Sequence, residues 1–264
     1  MKPVSTTWLN SYVNRNYNCE GITHVMPHIA HGLQYLHSKD IVHRDVKPGN
    51  VLVSNQHHCS ITGEKEFRDL WESRPIVCKL TDFGESKSCE IQTKSLIQTK
   101  TARLDRGTPT YMAPEILLSE KRIHVEGTIE DLERADIWAY GMILFLVCNP
   151  QLGFPYQEDM KKCQTKVAGI ESLLKDGKRS TFGENYRQLV KTGEWRHLYR
   201  VHEACTCFEP EQRPSAADIL TLLLERDVEA SEVRQLNQSV ADTTGGPGVV
   251  LLKLIYKPQS RICT

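Results

Sequence analysis

Residues 41–53 read IVHRDVKPGNVLV and place a polar octet, HRDVKPGN at 43–50, between two short apolar runs. The runs Ile41-Val42 and Val51-Leu52-Val53 are rich in β-branched residues, which favour strands. Polar functional groups concentrate on loops that a rigid scaffold holds in place. We therefore predict that residues 43–50 form a chemically functional loop held between two small strands.

Apolar periodicity predicts helices on both sides of this loop. Before it, residues 21–37 carry apolar side chains at the spacing of one buried helical face. After it, a third strand at 76–80 leads into Thr81-Asp82-Phe83-Gly84, and the second half of the chain reads as a bundle of helices at 132–148, 195–207 and 215–224. The polar stretch 54–75 reads as an insertion, and residues 85–106, rich in Ser, Thr, Lys and Gln, as a mobile surface loop.

Composition limits the classes of partner. Lys plus Arg and Asp plus Glu number 33 each, so no net charge draws the chain to nucleic acid or to an anionic membrane. The first residues lack the apolar core of a signal peptide, and the longest apolar stretch, 249–256, is too short to span a bilayer. The nine cysteines have no framework spacing, which favours reduced thiols. We expect a cytoplasmic protein, with the nucleus as the alternative.

Two polar clusters carry the groups that phosphoryl transfer needs: a carboxylate for the attacking hydroxyl, oxygen ligands for magnesium, and a cation for the phosphate. In HRDVKPGN, Asp45 is placed to accept the hydroxyl proton, Lys47 to reach the phosphate, and Asn50 to ligate a metal. In TDFG, Asp82 is placed to chelate magnesium, and Gly84 gives the backbone freedom to move that carboxylate.

These motifs resemble a known family when they are taken together. HRDVKPGN, DFG, GTPTYMAPE, DIWAYG and a late Arg213-Pro214 follow the order and approximate spacing of protein kinases. Residues 6–224 resemble the large C-terminal lobe of a eukaryotic-type serine/threonine protein kinase. The resemblance implies a protein-kinase-like α+β fold that is mainly helical, with short strands around the catalytic loop. It also implies ATP and Mg²⁺ as cofactors and proteins bearing Ser or Thr as substrates, with neither nucleic acid nor membrane as a partner.

The resemblance implies a role for each matching position. Asp45 is the expected catalytic base, Asn50 and Asp82 the ligands of magnesium and its nucleotide, and Lys47 the cation on the phosphate. Thr108 matches the threonine that bridges the base and this lysine. Because tyrosine kinases usually carry other residues in the loop, Lys47 and Thr108 together indicate Ser/Thr specificity.

Other matching residues are expected to support or regulate the site. Glu115 is expected to form a buried ion pair with Arg213, and Asp136 to accept hydrogen bonds from the backbone around His43 and Arg44. His43, Phe83 and Gly84 are expected to be structural. Arg44 is implied to receive a phosphate from the 85–106 loop, where Thr101 is the candidate acceptor and Thr99 the next. The alternative is that these threonines only solvate a loop.

The sequence also departs from the family pattern, since it contains neither a Gly-rich G-x-G-x-x-G loop nor a V-A-I-K strand. We expect residues 1–226 to be the large lobe without its ATP-gripping small lobe, residues 227–264 to be a flexible tail, and these 264 residues to be inactive alone. Two other functions stay open. A pseudokinase or scaffold lobe would serve as a docking module, and a small-molecule phosphotransferase is disfavoured because such enzymes generally lack the GTPTYMAPE segment.

Overall fold

The computed structural model describes residues 6–9, 19–56, 61–63, 65–66, 69–70, 76–88, 107–118, 128–149, 151–157, 159–160, 166–180 and 196–223. Five strands lie in this part of the chain: β1 Thr6–Trp8, β2 Ile41–Val42, β3 Val51–Ser54, β4 Val77–Leu80 and β5 Lys87–Ser88. The helices are α1 Cys19–His37, α2 Pro114–Leu117, α3 Ile129–Cys148, α4 Lys166–Lys175, α5 Arg196–Cys205 and α6 over 216–223. None of these helices is both long and apolar enough to cross a membrane.

The strands form two separate small sheets. In the first, β3 lies between β1 and β4 and is antiparallel to both, with Val51 opposite Leu80 and Thr7 opposite Val53. In the second, β2 pairs with β5, with Ile41 opposite Ser88. The strands on either side of the HRDVKPGN loop were predicted correctly, and they belong to different sheets. The loop therefore crosses from one sheet to the other.

The long helix α3 runs through the middle of the core. Its N-terminus is fixed by a capping box, in which Thr128 N donates to Asp131 Oδ2 at 2.7 Å and Asp131 N donates to Thr128 Oγ1 at 3.2 Å. Every residue from Asp136 to Cys148 is buried. At Gly141 the helix approaches α5 so closely that a Cβ would lie 2.7 Å from Thr206 Cγ2. Only glycine fits this crossing.

A second hydrophobic cluster supports the segment 109–118. It comprises Ala113, Leu117, Trp138, Met142, Tyr156, Met160, Ile170 and Leu174. Helix α4, which contributes Ile170 and Leu174, contacts both the 3₁₀ turn Pro109–Tyr111 and α2. Periodicity did not single out α4, because only three of its ten residues are buried.

Several predicted boundaries change. The insertion does not begin at Ser54, because Ser54 pairs with Val77 in the first sheet. The predicted strand 76–80 begins at Val77, and the predicted loop 85–106 contains strand β5. Strand β5 forms because β2 offers a ladder partner that the sequence pattern does not show. Residues 89–106, with Thr99 and Thr101, and the predicted tail 227–264 lie outside the described residues.

Candidate active site

Asp136 on α3 holds the beginning of the HRDVKPGN loop. Its buried carboxylate accepts hydrogen bonds from His43 N and Arg44 N, each at 2.8 Å. Arg44 adopts a left-handed backbone conformation, with φ 67°, which is unfavourable for a side chain with a Cβ. Charge-assisted hydrogen bonds to backbone amides are strong enough to offset that strain. The expected contact between Asp136 and this backbone is present.

His43 joins the two motifs. The side chain is fully buried, and its Nε2 lies 3.0 Å from Thr81 O, while its ring lies 5.2 Å from the Phe83 ring. Thr81 N in turn donates to Asn50 O at 2.9 Å. Residues 43–50 and 81–84 are therefore held against each other at both ends of the loop.

Four hydrogen bonds converge on the Asp45 carboxylate. Oδ2 accepts from Lys47 Nζ at 2.5 Å and from Asn50 Nδ2 at 3.0 Å. Oδ1 accepts from Thr108 N at 3.0 Å and from Thr108 Oγ1 at 3.1 Å. Lys47 Nζ also donates to Thr108 Oγ1 at 2.9 Å, so the threonine bridges aspartate and lysine as expected. The structure thus brings together four predicted site residues that are up to 63 positions apart.

Gly107 makes this convergence possible, and the sequence reasoning assigned it no role. Its φ is 123°, and a Cβ there would lie 2.9 Å from Arg44 O. Both facts require glycine, because an L side chain would push the 107–108 backbone away from the loop. The available sequence signal was the glycine immediately before Thr108.

Asn50 and Asp82 provide oxygen atoms of the kind that magnesium prefers. Asn50 Nδ2 donates to Asp45 O at 2.8 Å as well as to the carboxylate, which fixes the amide so that Oδ1 is the atom left for a ligand. Asp82 is exposed, and among the described residues its Oδ1 accepts a single long hydrogen bond, 3.4 Å from Gly84 N. Two hard oxygen ligands suit a Mg²⁺ ion that takes its other ligands from phosphates and water. No group of three or more His, Cys, Asp or Glu that could hold a metal occurs among the described residues.

The expected pair of Glu115 and Arg213 is present and lies beside the second cluster. Arg213 Nη1 and Nη2 donate to the two carboxylate oxygens at 2.6 and 2.7 Å. The other N–H groups of Nε, Nη1 and Nη2 donate to the carbonyls of Cys207, Arg134 and Phe208, so the buried cation is fully hydrogen-bonded. The pair is not buried on both sides as expected, since the Glu115 side chain is 27% exposed and that of Arg213 is 0% exposed.

Of the two residues in the regulatory prediction, the structure describes Arg44 and does not describe Thr101. Arg44 lines a small cavity of about 30 Å³ that Asp45 and Thr108 also line, at the face of the loop turned towards 111–116. Thr101 is outside the described part of the chain, so a contact between it and Arg44 stays a prediction.

Known proteins resemble the chain over most of its length. A model of the protein kinase domain matches residues 1–223. The ovarian-specific serine/threonine-protein kinase Lok of Drosophila melanogaster is 28% identical over 205 residues, which are 75% of this chain and 33% of that protein. The probable serine/threonine-protein kinase iksA of Dictyostelium discoideum is 32% identical, over 73% of this chain and 19% of the relative. The serine/threonine-protein kinase chk-2 of Caenorhabditis elegans is 31% identical, over 71% of this chain and 30% of that protein. The chain thus spans a third or less of each relative.

Proposed function

Because the chain belongs to the protein kinase family, we propose that it forms the catalytic lobe of a serine/threonine protein kinase. The reaction transfers the γ-phosphate of ATP to a Ser or Thr hydroxyl of a protein substrate. One observation carries the proposal: the Asp45 carboxylate is held by Lys47, Asn50 and Thr108, all at 2.5–3.1 Å. A carboxylate oriented in this way can accept the proton of the attacking hydroxyl.

Lys47 and Thr108 form the part of the site next to the base. The ammonium of Lys47 balances charge on the transferred phosphate, and the shared contact with Thr108 Oγ1 keeps it beside Asp45. The lysine and the threonine in these positions support Ser/Thr rather than Tyr specificity.

Protein kinases generally use ATP with Mg²⁺. Asn50 and Asp82 would hold the ion in this protein, where it would neutralise charge on the phosphates. The left-handed backbone at Asp82, φ 64°, turns its carboxylate out of the β4 strand direction, and His43 fixes the neighbouring Phe83. Gly84 N also donates to Asp82 Oδ1 at 3.4 Å, which supports a structural role for Phe83 and Gly84 beside this carboxylate.

A transfer assay tests the proposal. The protein is purified from the cells that naturally produce it. It is then incubated with radiolabelled ATP, Mg²⁺ and a protein substrate that contains Ser, Thr and Tyr. Label is expected on Ser and Thr, and Asp45→Asn is expected to lower the rate by about 100- to 10,000-fold, the usual contribution of a general base. Asp176→Asn, a surface change in the exposed ion pair with Lys178, should leave the rate unchanged. Equal, measurable rates for Asp45→Asn and wild type would refute the role of Asp45, and no transfer by the wild type would favour a docking lobe without catalysis.

We propose regulation through Arg44 on the basis of its position, next to the base and on the loop that Asp136 anchors. A phosphate on Thr101 would pair with this cation. Phosphopeptide mapping of active protein should find a phosphate between residues 86 and 110. Full activity without one would exclude the mechanism.

A cytoplasmic or nuclear location is also proposed. Cys78, Cys148, Cys205 and Cys207 are free and buried, which suits a reducing compartment. Burial raises the pKa of the Cys78 thiol to about 12, so this thiol is not ionised at neutral pH. Cell fractionation with an antibody against the chain tests the location.

A further inference from the structure

Two arginines donate hydrogen bonds to each other's backbone, and one of them, Arg134, is not among the predicted site residues. Arg134 Nη1 donates to Arg213 O, and Arg213 Nη1 donates to Arg134 O at 3.0 Å. Arg134 lies in α3, whereas Arg213 follows the 3₁₀ turn Pro210–Gln212, 79 positions later. Each guanidinium therefore holds the backbone of the other arginine.

The Arg213 carbonyl takes its donor from Arg134 rather than from the adjacent backbone. Pro214 has no backbone N–H, and the Ser215 amide donates to Asp218 Oδ2 at 2.9 Å. A buried carbonyl without a donor is unfavourable, and Arg213 is buried. The Arg134 guanidinium supplies the donor and so fixes the point from which the Arg213 side chain extends.

The Arg213 side chain in turn holds the segment 109–118. Its two terminal nitrogens donate to the Glu115 carboxylate at 2.6 and 2.7 Å, and its guanidinium lies over the Trp138 ring, 5.1 Å from the ring centre. A bidentate pair of this kind requires a fixed orientation of the guanidinium. No hydrogen bond or ion pair joins Arg134 directly to Glu115, both of which the structure describes. Arg134 therefore acts on the segment through Arg213.

Arg134 is the more accessible of the two arginines. Its side chain is 23% exposed, whereas that of Arg213 is 0% exposed. Arg134 also forms an ion pair with Glu130, one turn earlier on α3, whose side chain is 75% exposed. Exposed ion pairs contribute little to stability. A substitution of Arg134 therefore tests mainly the hydrogen bond to Arg213 O.

We propose that Arg134 is a positioning residue: it fixes the Arg213 backbone, so that the guanidinium meets Glu115 and holds the segment 109–118 beside the catalytic loop. The structural part of this inference is independent of the proposed function.

The consequence for catalysis rests on the proposed function. Residues 111–113 and 116 of the segment line the same small cavity as Asp45. A protein substrate whose hydroxyl reaches Asp45 would therefore have its flanking residues near this segment. A displaced segment is expected to weaken the binding of the protein substrate more than the binding of ATP.

Hydrogen exchange at single amides tests the structural part without an activity measurement. In the whole chain, Arg134→Met removes the donors and keeps an unbranched side chain, and Arg134→Gln keeps a polar group on a shorter side chain. Arg134→Lys keeps a cationic donor, which suffices for one hydrogen bond to a carbonyl. Glu130→Gln removes the charge of the exposed ion pair, leaves the bond to Arg213 O and is the control.

The Leu117 and Leu118 amides are hydrogen-bonded at α2 and report on the segment. They are expected to exchange about tenfold faster in Arg134→Met and Arg134→Gln, because local opening becomes easier. Their rates in Arg134→Lys and Glu130→Gln should stay within about threefold of wild type, and the α1 amides should not change in any variant. Unchanged exchange at residues 117 and 118 would overturn the proposal, and so would an equal rise throughout the chain.

A second comparison tests the route through Arg213. Glu115→Gln removes the charge that Arg213 pairs with and should itself raise exchange in the segment. Adding Arg134→Met should then raise the rates by no more than about threefold further, because changes that act through one shared partner are not additive. A larger further rise would show that Arg134 acts independently of Arg213 and would overturn the proposal.

The transfer assay then tests the catalytic consequence on protein from the cells that naturally produce it. Arg134→Met should raise the KM for the protein substrate about fivefold and leave the KM for ATP within about twofold, and Arg134→Lys should restore the KM for the protein substrate. An unchanged KM for the protein substrate, or an equal rise in both KM values, would overturn this consequence. If the wild type transfers no phosphate, the proposed function fails, and the exchange experiments still decide the role of Arg134.

Discussion

Two buried tyrosines differ in the hydrogen bonding of their hydroxyl groups. Tyr140 on α3 donates from its hydroxyl to Met26 O at 3.3 Å, whereas the Tyr156 hydroxyl is buried without a hydrogen-bond partner among the described residues. Both phenols are neutral at pH 7 even at the ordinary pKa of 10, and burial raises the pKa of each further. A buried polar group without a partner costs about 1–3 kcal/mol.

We expect Tyr156→Phe to raise the free energy of unfolding by about 1 kcal/mol, because it removes a desolvated hydroxyl and no hydrogen bond. The left-handed backbone at Tyr156, φ 66°, is the same in wild type and variant, so its strain does not contribute to the difference in stability. Tyr140→Phe is the matched control and should lower stability by about 1 kcal/mol. Urea unfolding at neutral pH measures both. A loss of stability in Tyr156→Phe would show that its hydroxyl has a partner.

His202 makes stability depend on pH. Burial lowers its pKa from the ordinary 6.5 to about 4, and its Nδ1 donates to Gly141 O at 3.1 Å in the neutral form. The unfolded chain binds a proton at this residue below pH 6.5, and the folded chain does so only near pH 4. Stability from His202 is therefore complete above pH 6.5 and is lost as the pH falls towards 4, by about 3 kcal/mol.

His202→Asn, which keeps a donor near Nδ1, should be less stable than wild type at pH 7.5, and the difference should shrink at pH 4.5. Urea unfolding at the two pH values checks this, with His31→Asn as the control at an exposed site. A difference that does not change with pH would contradict the assignment.

At the scale of elements, the Gly107–Thr108 backbone lies so close to the catalytic loop that no side chain fits between them. Gly107→Ala would place a Cβ 2.9 Å from Arg44 O at a φ of 123°. Gly177→Ala is the matched control, because its φ of 67° is also positive while no atom lies within 4 Å of the added Cβ. Gly107→Ala should lower the free energy of unfolding by about 1 kcal/mol more than Gly177→Ala, as the steric conflict adds to the backbone strain. If urea unfolding shows that the two variants lose equal free energy of unfolding, the catalytic loop can move away from the added Cβ without cost.

At the scale of the whole molecule, Arg213 ties together segments that are 98 residues apart. Glu115→Ala leaves a buried guanidinium without its carboxylate and should cost about 3–5 kcal/mol. The double variant Glu115→Ala/Arg213→Met should cost less than the sum of the single changes, because it removes the unpaired charge as well. A double-mutant cycle from thermal or urea unfolding measures the coupling. Additive losses would mean that water replaces the carboxylate without penalty.

Much of the fold could be predicted because its helices and strands depend on the pattern of apolar residues within each segment. Periodicity located α1, α3, α5 and α6, and the short apolar runs located β2, β3 and β4 to within a few residues. Strands β1 and β5 and helices α2 and α4 were missed. Helix α4 has few buried positions, and β5 exists only because β2 pairs with it.

The sequence by itself determined the chemical groups of the site and their order, since the spacing of Asp45, Lys47 and Asn50 is local and the family motifs are specific. Only the tertiary structure decided which groups meet. Thr108 reaches Asp45 because Gly107 lets two backbones touch, and Asp136 reaches the loop from a helix more than ninety residues away. The contact of His37 with Asp136 could not be predicted for the same reason. It depends on where the end of α1 lies relative to α3, and no periodicity along the chain encodes a contact between two helices at one particular side chain.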